Sequence, residues 1–374
     1  MTGSLTGTLM GSAVSAELLR VAAASAAAWL LLLAWRALQR YRHFRRLELA
    51  LPGPPSVPLL GNVLAFAGVD KTNAFRIVLG LWGGRTDELS RFAMFNRLFV
   101  FVTDPRDVER VVRDKRFHEK PSFMYGALSE VLGDGLLTLA GRRWLQHRAV
   151  MMPTFHVSVL ERFLPVFAEE ADALVARVAA LGGGFVDVGH QLREAAARSA
   201  LRTSMSTEMQ PEDESMFKEI IAGLNECLNT VNLRSFRPWL WPRATFKLTA
   251  MSRQLDAFND LTKQMVTRIV TRRMAELQDL RGEGQNQDQG DRRKSFIDLM
   301  LEAKLDGRVD FTEQEIIDES KTLIAASLET SVTEMSFTFK MLSIFPEIQD
   351  RVMAEVDQVF GDSDRHITPE DLPR

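Results

Sequence analysis

The sequence has almost no cysteine: Cys227 is the one cysteine in 374 residues. A single thiol excludes an internal disulfide framework and any metal site built from several cysteines. An excess of one charge is also missing, because 46 Lys and Arg residues stand against 49 Asp and Glu residues. A chain this close to neutral is not built around a nucleic-acid backbone. We find no internal repeat, phosphate-binding loop or Ser/His/Asp order, so phosphoryl transfer and triad hydrolysis have no support.

The composition is that of a folded protein. Hydrophobic residues make up 46% of the chain and charged residues 25%, which excludes wholesale disorder and a collagen-like structure. Long stretches with apolar residues at helical spacing predict a mainly α-helical body. Apolar and aromatic residues between Phe92 and Val102, on both sides of a turn-like Asn96-Arg97, predict one short hairpin near the amino end. A capping box, Thr312 followed by Glu315, predicts a long helix from Glu313 to about Ile344.

The longest apolar run lies near the amino terminus, from Val21 to Trp35. Fifteen helical residues reach only about 22 Å, whereas a bilayer core is about 30 Å thick. Extending the segment to residues 18–38 gives about 31 Å. Five arginines follow from Arg36 to Arg46, a stop-transfer pattern that predicts a cytoplasmic location for that side. The alternatives are a cleaved signal peptide, which carries its charge before the apolar core, and a buried helix.

These features predict four regions along the chain. Residues 1–17 form the lumenal amino terminus, 18–38 a transmembrane anchor, 39–62 a basic run and proline-rich hinge, and 63–374 the catalytic body. The hinge contains four prolines between Pro52 and Pro58. Because proline fixes φ and lacks an N–H, no helix is expected to pass through it. The alternative is a generic proline-rich linker.

An acid and two hydroxyls interrupt the otherwise apolar middle of the long helix at Glu329-Thr330-Ser331. Thr330 can donate to the carbonyl of Ala326 and bend the helix. Ala326 and Ser327 are small enough to let another group approach the backbone. A buried Glu329 would be a candidate proton relay. The alternative, which this segment alone favours, places Glu329 on a solvent face.

A second pattern combines an aromatic residue and a cation. Trp144 and Arg148 are spaced i,i+4, so they share one helix face. An indole N–H and a guanidinium together can bind a carboxylate. The alternative is a surface cation–π pair. His147 and His156 are predicted to be ordinary surface or cap residues.

The order of these features resembles the cytochrome P450 superfamily of the microsomal type. The anchor, basic run and Pro-Gly-Pro-Pro hinge precede the Trp144–Arg148 helix and the acid-Thr-Ser helix, and Phe345-Pro346-Glu347 leads to Phe360-Gly361. Met152-Pro153-Thr154-Phe155-His156 is similar to a segment of the fatty-acid ω-hydroxylases and their insect relatives. The resemblance covers essentially the whole chain. It implies a mainly α fold with a small β portion, the P450-like haem-thiolate fold, incomplete at the carboxyl end and preceded by one transmembrane helix.

The resemblance also implies a function and a site. The family inserts one oxygen atom from O₂ into a C–H bond of a lipophilic substrate, such as a fatty acid, hormone, pheromone or xenobiotic. Trp144 and Arg148 match residues that hold a haem propionate. Glu329 and Thr330 match the acid and alcohol that deliver protons, and Ala326 and Ser327 match the lining of the oxygen groove. The segment from Phe123 to Leu137 matches a variable loop that contacts substrate.

The implied cofactor is haem b, with NADPH acting indirectly through a reductase. The implied partners are NADPH–cytochrome P450 reductase, cytochrome b5, the lipid bilayer and a small lipophilic substrate, with no nucleic acid. The implied location is the endoplasmic reticulum membrane, crossed once, with the catalytic body on the cytoplasmic side.

Three departures from the family pattern change these expectations. Ser327 stands where the oxygen groove usually has Gly, and Ala326 stands where some fatty-acid hydroxylases carry a Glu linked covalently to haem. The family's iron-ligating Cys loop would follow Arg374, and Cys227 lies in a helical context that does not match it. We therefore expect a truncated chain with no metal ligand, inactive by itself. A non-catalytic, membrane-anchored helical interaction protein is the alternative, which a transcript ending here would favour.

Overall fold

The structure is a computed structural model that describes residues 4–70, 72–82, 89–117, 119–282 and 295–372, with the backbone alone for residues 4–20, 23, 82 and 238. The chain divides into two compact units, residues 1–114 and 115–374. The described residues are mainly α-helical with one β-hairpin, which confirms the predicted mainly α class. The segment 281–294 has no apolar residue, which predicts a solvated loop, and residues 283–294 of it lie outside the described residues.

Among its described residues, the first unit contains three α-helices, a 3₁₀ turn at Val63–Phe66 and the hairpin. The helices and strands are α1 (Ser4–Ala50), α2 (Ala74–Trp82), β1 (Ser90–Met94), β2 (Arg97–Phe101) and α3 (Pro105–Arg113). The strands are antiparallel, with Met94 opposite Arg97 and Ser90 opposite Phe101, so the predicted hairpin is confirmed. Asp104 caps α3 by accepting a hydrogen bond from the Arg106 N–H, because a short carboxylate before a helix satisfies a free backbone donor.

The proline-rich segment of this unit is not helical, as predicted. Carbonyl groups of this segment accept hydrogen bonds from the side chains of Arg91 in β1 and Asn62 at the end of the segment. Arg91 Nη1 donates to the Pro54 carbonyl at 2.8 Å, and Asn62 Nδ2 donates to the Pro55 carbonyl at 2.8 Å. Arg91 Nε also donates to the Glu48 carbonyl at 2.8 Å. These bonds fix the end of α1, the prolines and β1 together.

Within the described part of the chain, the structure contains no helix that combines the length and apolar character needed to cross a bilayer. The transmembrane anchor predicted over residues 18–38 is therefore not supported, although these residues are helical within α1.

The described residues of the second unit form helices joined by turns and loops. Its helices are α4 (Ser122–Leu132), α5 (Gly141–Met151), α6 (Val157–Leu160), α7 (Leu164–Ala180), α8 (Val188–Ser204), α9 (Glu214–Ser235), α10 (Arg243–Phe246), α11 (Ala250–Gly282), α12 (Phe296–Leu305), α13 (Glu313–Ile344) and α14 (Pro346–Phe360). The predicted capping box of α13 is confirmed. Apolar residues at helical spacing predict a single helix over residues 157–181, and this prediction is wrong, because a 3₁₀ turn at Glu161–Phe163 separates α6 from α7.

Helix α8 packs against α7 and α13 and closes the core of this unit. Its buried face is built largely from small side chains, including Ala195, Ala196, Ala197 and Ala200. Small residues let the α13 backbone approach closely. They also give a weak hydropathy pattern, which is why the sequence did not reveal this helix. Larger buried residues of α9, α11 and α12, such as Phe217, Met265 and Ile297, fill the rest of the core.

The turn after α4 brings a left-handed backbone against α13. Gly133 has a φ of +77°, and a Cβ at this position would lie 2.1 Å from the Cγ atom of Asp318. The Asp318 carboxylate occupies that space because it accepts a hydrogen bond from the Asp134 N–H at 3.0 Å. Glycine is therefore required twice, by the backbone conformation and by the close approach.

We expect Gly133→Ala to lower the free energy of unfolding by at least about 1 kcal/mol, since alanine is strained at positive φ and clashes with Asp318. Gly126→Ala is the matched control, because Gly126 lies within α4 with open space around it and should gain about 0.5–1 kcal/mol from helix propensity. Urea denaturation of the two variants measures both values. Equal stabilities for the two variants would contradict this assignment.

Candidate functional site

The amino-terminal half of α13 carries buried acids that receive hydrogen bonds from other elements. Asp318 and Glu319 are 7% and 0% exposed. One Glu319 oxygen accepts from the Leu136 N–H at 2.9 Å, and the other lies 2.6 Å from His147 Nδ1. These contacts join α13 to the turn after α4 and to α5. A buried carboxylate without such donors would be costly, so α13 can occupy only this position.

Trp144 and Arg148 lie together on α5, as their spacing predicted. The Arg148 guanidinium carbon is 5.2 Å from the centre of the Trp144 ring, and Lys120 Nζ is 5.4 Å from it. Trp144 is half-buried and Arg148 is exposed. Lys120 also donates to the Leu136 and Leu137 carbonyls at 2.7 and 2.8 Å, and burial lowers the pKa of its ammonium group. Trp144 and Arg148 thus form the cation–π pair that the sequence offered as the alternative. Lys120 is a second cation beside the ring, which the sequence did not reveal.

The two histidines of this region differ from each other. His156 caps α6 by accepting from the Ser158 N–H, as predicted. The prediction that His147 is a surface or cap residue is wrong, because its side chain is 0% exposed. Its position on α5 turns it toward Glu319 of α13, a partner 172 residues away in sequence that no local pattern reveals.

The hydroxyl of Thr330 donates to the Ala326 carbonyl at 2.7 Å, which confirms the local bond that the sequence predicted. Ala326 and Thr330 are exposed, and Ser327 is half-buried. The bond orients the Thr330 Oγ1 atom and leaves its lone pairs available as acceptors. This stretch of α13 therefore presents small side chains and a fixed hydroxyl on one face.

Glu329 points toward α8 and α9. With its amide oxygen accepting from Arg193 Nη2 at 2.7 Å, Asn225 donates to the two Glu329 carboxylate oxygens at 2.8 and 3.0 Å. Burial raises the pKa of the Glu329 carboxyl, and the nearby Arg193 charge partly opposes this shift. Glu329 is half-buried, between the buried position of the first interpretation and the solvent face of its alternative.

A cavity of about 560 Å³ lies between α7, α8 and α13. Ser327, Thr330 and Ser331 contribute hydroxyls to its lining, and Phe167, Leu174 and Met335 contribute apolar surface. Among the residues predicted for the site, the cavity brings Ser327 and Thr330 together. Trp144 and Arg148 do not line it. The predicted site thus consists of two groups of residues, one on α5 and one on α13.

The segment from Phe123 to Leu137 is mostly helix α4 rather than a loop. Val131 and Leu132 are 0% and 4% exposed and belong to the hydrophobic core. Its last residues form the turn whose Leu136 N–H bonds to Glu319. The position of this turn is therefore fixed by α13.

Cys227 lies on α9, buried and without a disulfide. Burial, together with the Glu226 charge, raises the pKa of its thiol to about 11. At neutral pH the thiol is protonated, and a protonated thiol is neither a nucleophile nor a good metal ligand. The interpretation that Cys227 does not serve as an iron ligand therefore has a physical basis in its surroundings.

The raised pKa of Glu329 gives a testable pH dependence. The folded chain holds this proton more tightly than the unfolded chain, whose carboxyl has the ordinary pKa of 4.5. The contribution of Glu329 to stability therefore falls as the pH rises above about 4.5, because the folded state resists ionisation of this carboxyl. Glu329→Gln should become progressively more stable relative to the parent between pH 4.5 and 7. Urea denaturation across this range measures the difference.

The exposed Glu334 of the same helix offers the control variant Glu334→Gln. Any offset from altered hydrogen bonding is the same at every pH, so the slope is the informative quantity. A stability difference for Glu329→Gln that does not change with pH would show that burial does not perturb this carboxyl.

Comparison with known proteins gives the relationship of the chain. A family model described as Cytochrome P450 matches residues 51–374. Cytochrome P450 4c21 of Blattella germanica is 29% identical over 88% of this chain and 66% of its own length. Cytochrome P450 4g1 of Drosophila melanogaster is 26% identical over 85% of this chain and 62% of its own length. The chain spans slightly less than two thirds of the length of these relatives. The resemblance seen in the sequence is confirmed, and the chain belongs to the cytochrome P450 family.

Proposed function

We propose that the protein containing this chain is a haem-dependent monooxygenase that inserts one oxygen atom from O₂ into a C–H bond of a lipophilic substrate. The observation that carries the proposal is the Glu329-Thr330 pair, an acid of raised pKa beside a hydroxyl fixed on the Ala326 carbonyl. Such a pair can hold and pass protons. It lies within the residues that the family model matches.

The residues of the chain fit haem in part. Arg148 and Lys120, both close to the Trp144 ring, form a cationic group suited to a haem carboxylate. Bound haem would supply oxygen activation, and that chemistry would require a cysteine thiolate as a ligand of the iron. Cys227 does not fit that role, because it is buried with a pKa of about 11. We therefore assign no step at the iron to this chain.

The side chains of the chain have distinct roles in the proposal. Glu329 holds a proton, since burial favours its neutral form. Asn225 and Arg193 orient its carboxyl from α9 and α8. Thr330 Oγ1, whose own hydrogen is directed to the Ala326 carbonyl, offers its lone pairs to a proton donor as a hydrogen-bond acceptor. Ala326 and Ser327 leave room for a small molecule beside this face of α13.

The substrate, partners and location complete the proposal. The Met152–His156 segment, similar to that of fatty-acid ω-hydroxylases, supports a fatty acid or a related lipid as substrate. The electron donor would be NADPH–cytochrome P450 reductase, with cytochrome b5 as a second donor. Association with the endoplasmic reticulum membrane is supported by exposed apolar residues of α1, such as Trp29, Leu31 and Trp35 at 62%, 71% and 59%. Retention of the protein in microsomes after a high-salt wash tests this location.

The proposed proton relay predicts a specific defect. The test uses the protein that contains this chain, supplied with its reductase. Thr330→Ala should lower the amount of oxidised substrate formed per NADPH consumed by roughly tenfold or more, because the relay loses its hydroxyl. NADPH oxidation should continue. Thr330→Ser restores a hydroxyl and should recover much of the coupling, and Thr333→Ala, an exposed threonine one turn along, is the control.

Product per NADPH that stays unchanged in Thr330→Ala would remove Thr330 from the relay. If the protein that contains this chain binds no haem and oxidises no lipid, the monooxygenase proposal fails. The alternative, a non-catalytic interaction protein, then takes its place.

The state of Cys227 gives a prediction for the 374-residue chain alone. Mixed with haem, reduced and exposed to CO, the chain should show no thiolate-type absorption band, because a thiol with a pKa of about 11 does not provide a thiolate at neutral pH. The spectrum of Cys227→Ser should match that of the parent. A thiolate-type band that disappears in Cys227→Ser would show that Cys227 does ligate the iron.

A further inference from the structure

The strongest unassigned feature is the contact between His147 of α5 and Glu319 of α13. Both side chains are 0% exposed, and Nδ1 of the imidazole lies 2.6 Å from a carboxylate oxygen. The proton relay proposed above does not use either residue. Two polar groups buried this deeply are retained only where their hydrogen bonds are satisfied.

The hydrogen-bond pattern fixes the chemistry of this pair. The other Glu319 oxygen accepts from the Leu136 N–H, so the carboxylate accepts on both sides. With Glu319 as a carboxylate, which offers no donor, Nδ1 of His147 is the donor of the bond between them. Glutamine at 319 has a single acceptor oxygen and could satisfy only one of the two donors. The site therefore requires a carboxylate.

The surroundings hold the imidazole in one orientation. The Phe311 ring packs edge-on against it with centroids 5.0 Å apart. Nε2 has no hydrogen-bond partner among the described residues and lies 3.5 Å from a Glu315 carboxylate oxygen. Arg143 of α5 forms hydrogen bonds with both oxygens of Glu315. The charged groups that face the pair are thus Glu315 and Arg143, with Lys120 interacting electrostatically with Glu319.

The pair connects the two groups of residues in the proposed site. His147 lies between Trp144 and Arg148 on α5. Glu319 lies ten residues before Glu329 on α13, or about 15 Å along the same helix. The position of α5 on α13 therefore determines where Trp144 and Arg148 stand relative to Glu329 and Thr330.

We propose that His147 and Glu319 are positioning residues: their buried hydrogen bond sets the placement of the Trp144–Arg148 pair relative to the Glu329-Thr330 pair. The functional meaning of this placement rests on the proposed monooxygenase function. The placement itself is a property of the chain and can be measured without haem.

The direct test is a distance between the two helices. Nitroxide labels at Leu145→Cys on α5 and Glu334→Cys on α13, two exposed positions, are introduced in a Cys227→Ser background. Pulsed electron paramagnetic resonance should give one narrow distance distribution in this parent. His147→Leu, which fills the space without donating, should broaden or shift it. Glu319→Gln should do the same, and His147→Asn, whose amide can donate as Nδ1 does, should restore it.

A loss of stability alone would also follow from a merely structural role, so a control of similar stability is needed. Arg202 of α8 pairs with Glu169 and Glu170 of α7, away from α5. The denaturant concentration is chosen so that Arg202→Leu has the same free energy of unfolding as His147→Leu. Under this condition Arg202→Leu should keep the narrow distance distribution. A distribution in His147→Leu as narrow as in the parent and centred at the same distance would overturn the positioning role.

Haem binding separates this inference from the function on which it rests. We expect the affinity of the 374-residue chain for haem, followed by quenching of tryptophan fluorescence, to fall at least fivefold in His147→Leu and to recover in His147→Asn. If the distances change as expected but the parent chain binds no haem, the positioning role stands and the proposed function fails. Haem affinity that is equal in the parent and His147→Leu, with altered distances, would overturn the link between positioning and the haem site.

Discussion

The buried Glu319 carboxylate is the contact on which the arrangement of the second unit depends. A carboxylate taken out of water needs donors at both oxygens, and leaving one unsatisfied costs about 1–3 kcal/mol or more. Its two donors come from α5 and from the turn after α4. Asp318 beside it receives the Asp134 N–H of the same turn. One turn of α13 thus fixes two other elements at once.

Helix α13 changes character along its length. Residues Ile316 to Thr322 are all buried, whereas most residues beyond Val332 are exposed. The acid and hydroxyl of the proposed relay lie where the buried half gives way to the exposed half. Burial at this boundary is sufficient to raise the pKa of Glu329, while Thr330 stays accessible. A proton relay needs both conditions, because one group must hold the proton and the other must exchange it.

The side chains that could bind haem or deliver protons lie on different helices. Cations around Trp144 on α5 suit an anionic group, and hydroxyls of α13 line a cavity shared with α7 and α8. Cys227 on α9 is kept protonated by its surroundings. The chain thus carries groups that fit the carboxylates of haem and the delivery of protons, and its thiol does not fit the iron. Membership of the cytochrome P450 family and the geometry together support the proposed monooxygenase more than an interaction protein.

Local sequence determined the features whose causes are local. Thr312 and Glu315 specified the start of α13, Pro346 the start of α14, and the spacing of Thr330 and Ala326 their hydrogen bond. Only the tertiary structure showed that His147 is buried and that Asn225 and Arg193 face Glu329. It also showed helix α8, which the alanine-rich sequence of that segment did not predict. The reason is distance along the chain: these contacts join residues about a hundred or more positions apart, and short-range periodicity carries no information about which distant donor satisfies a buried acid.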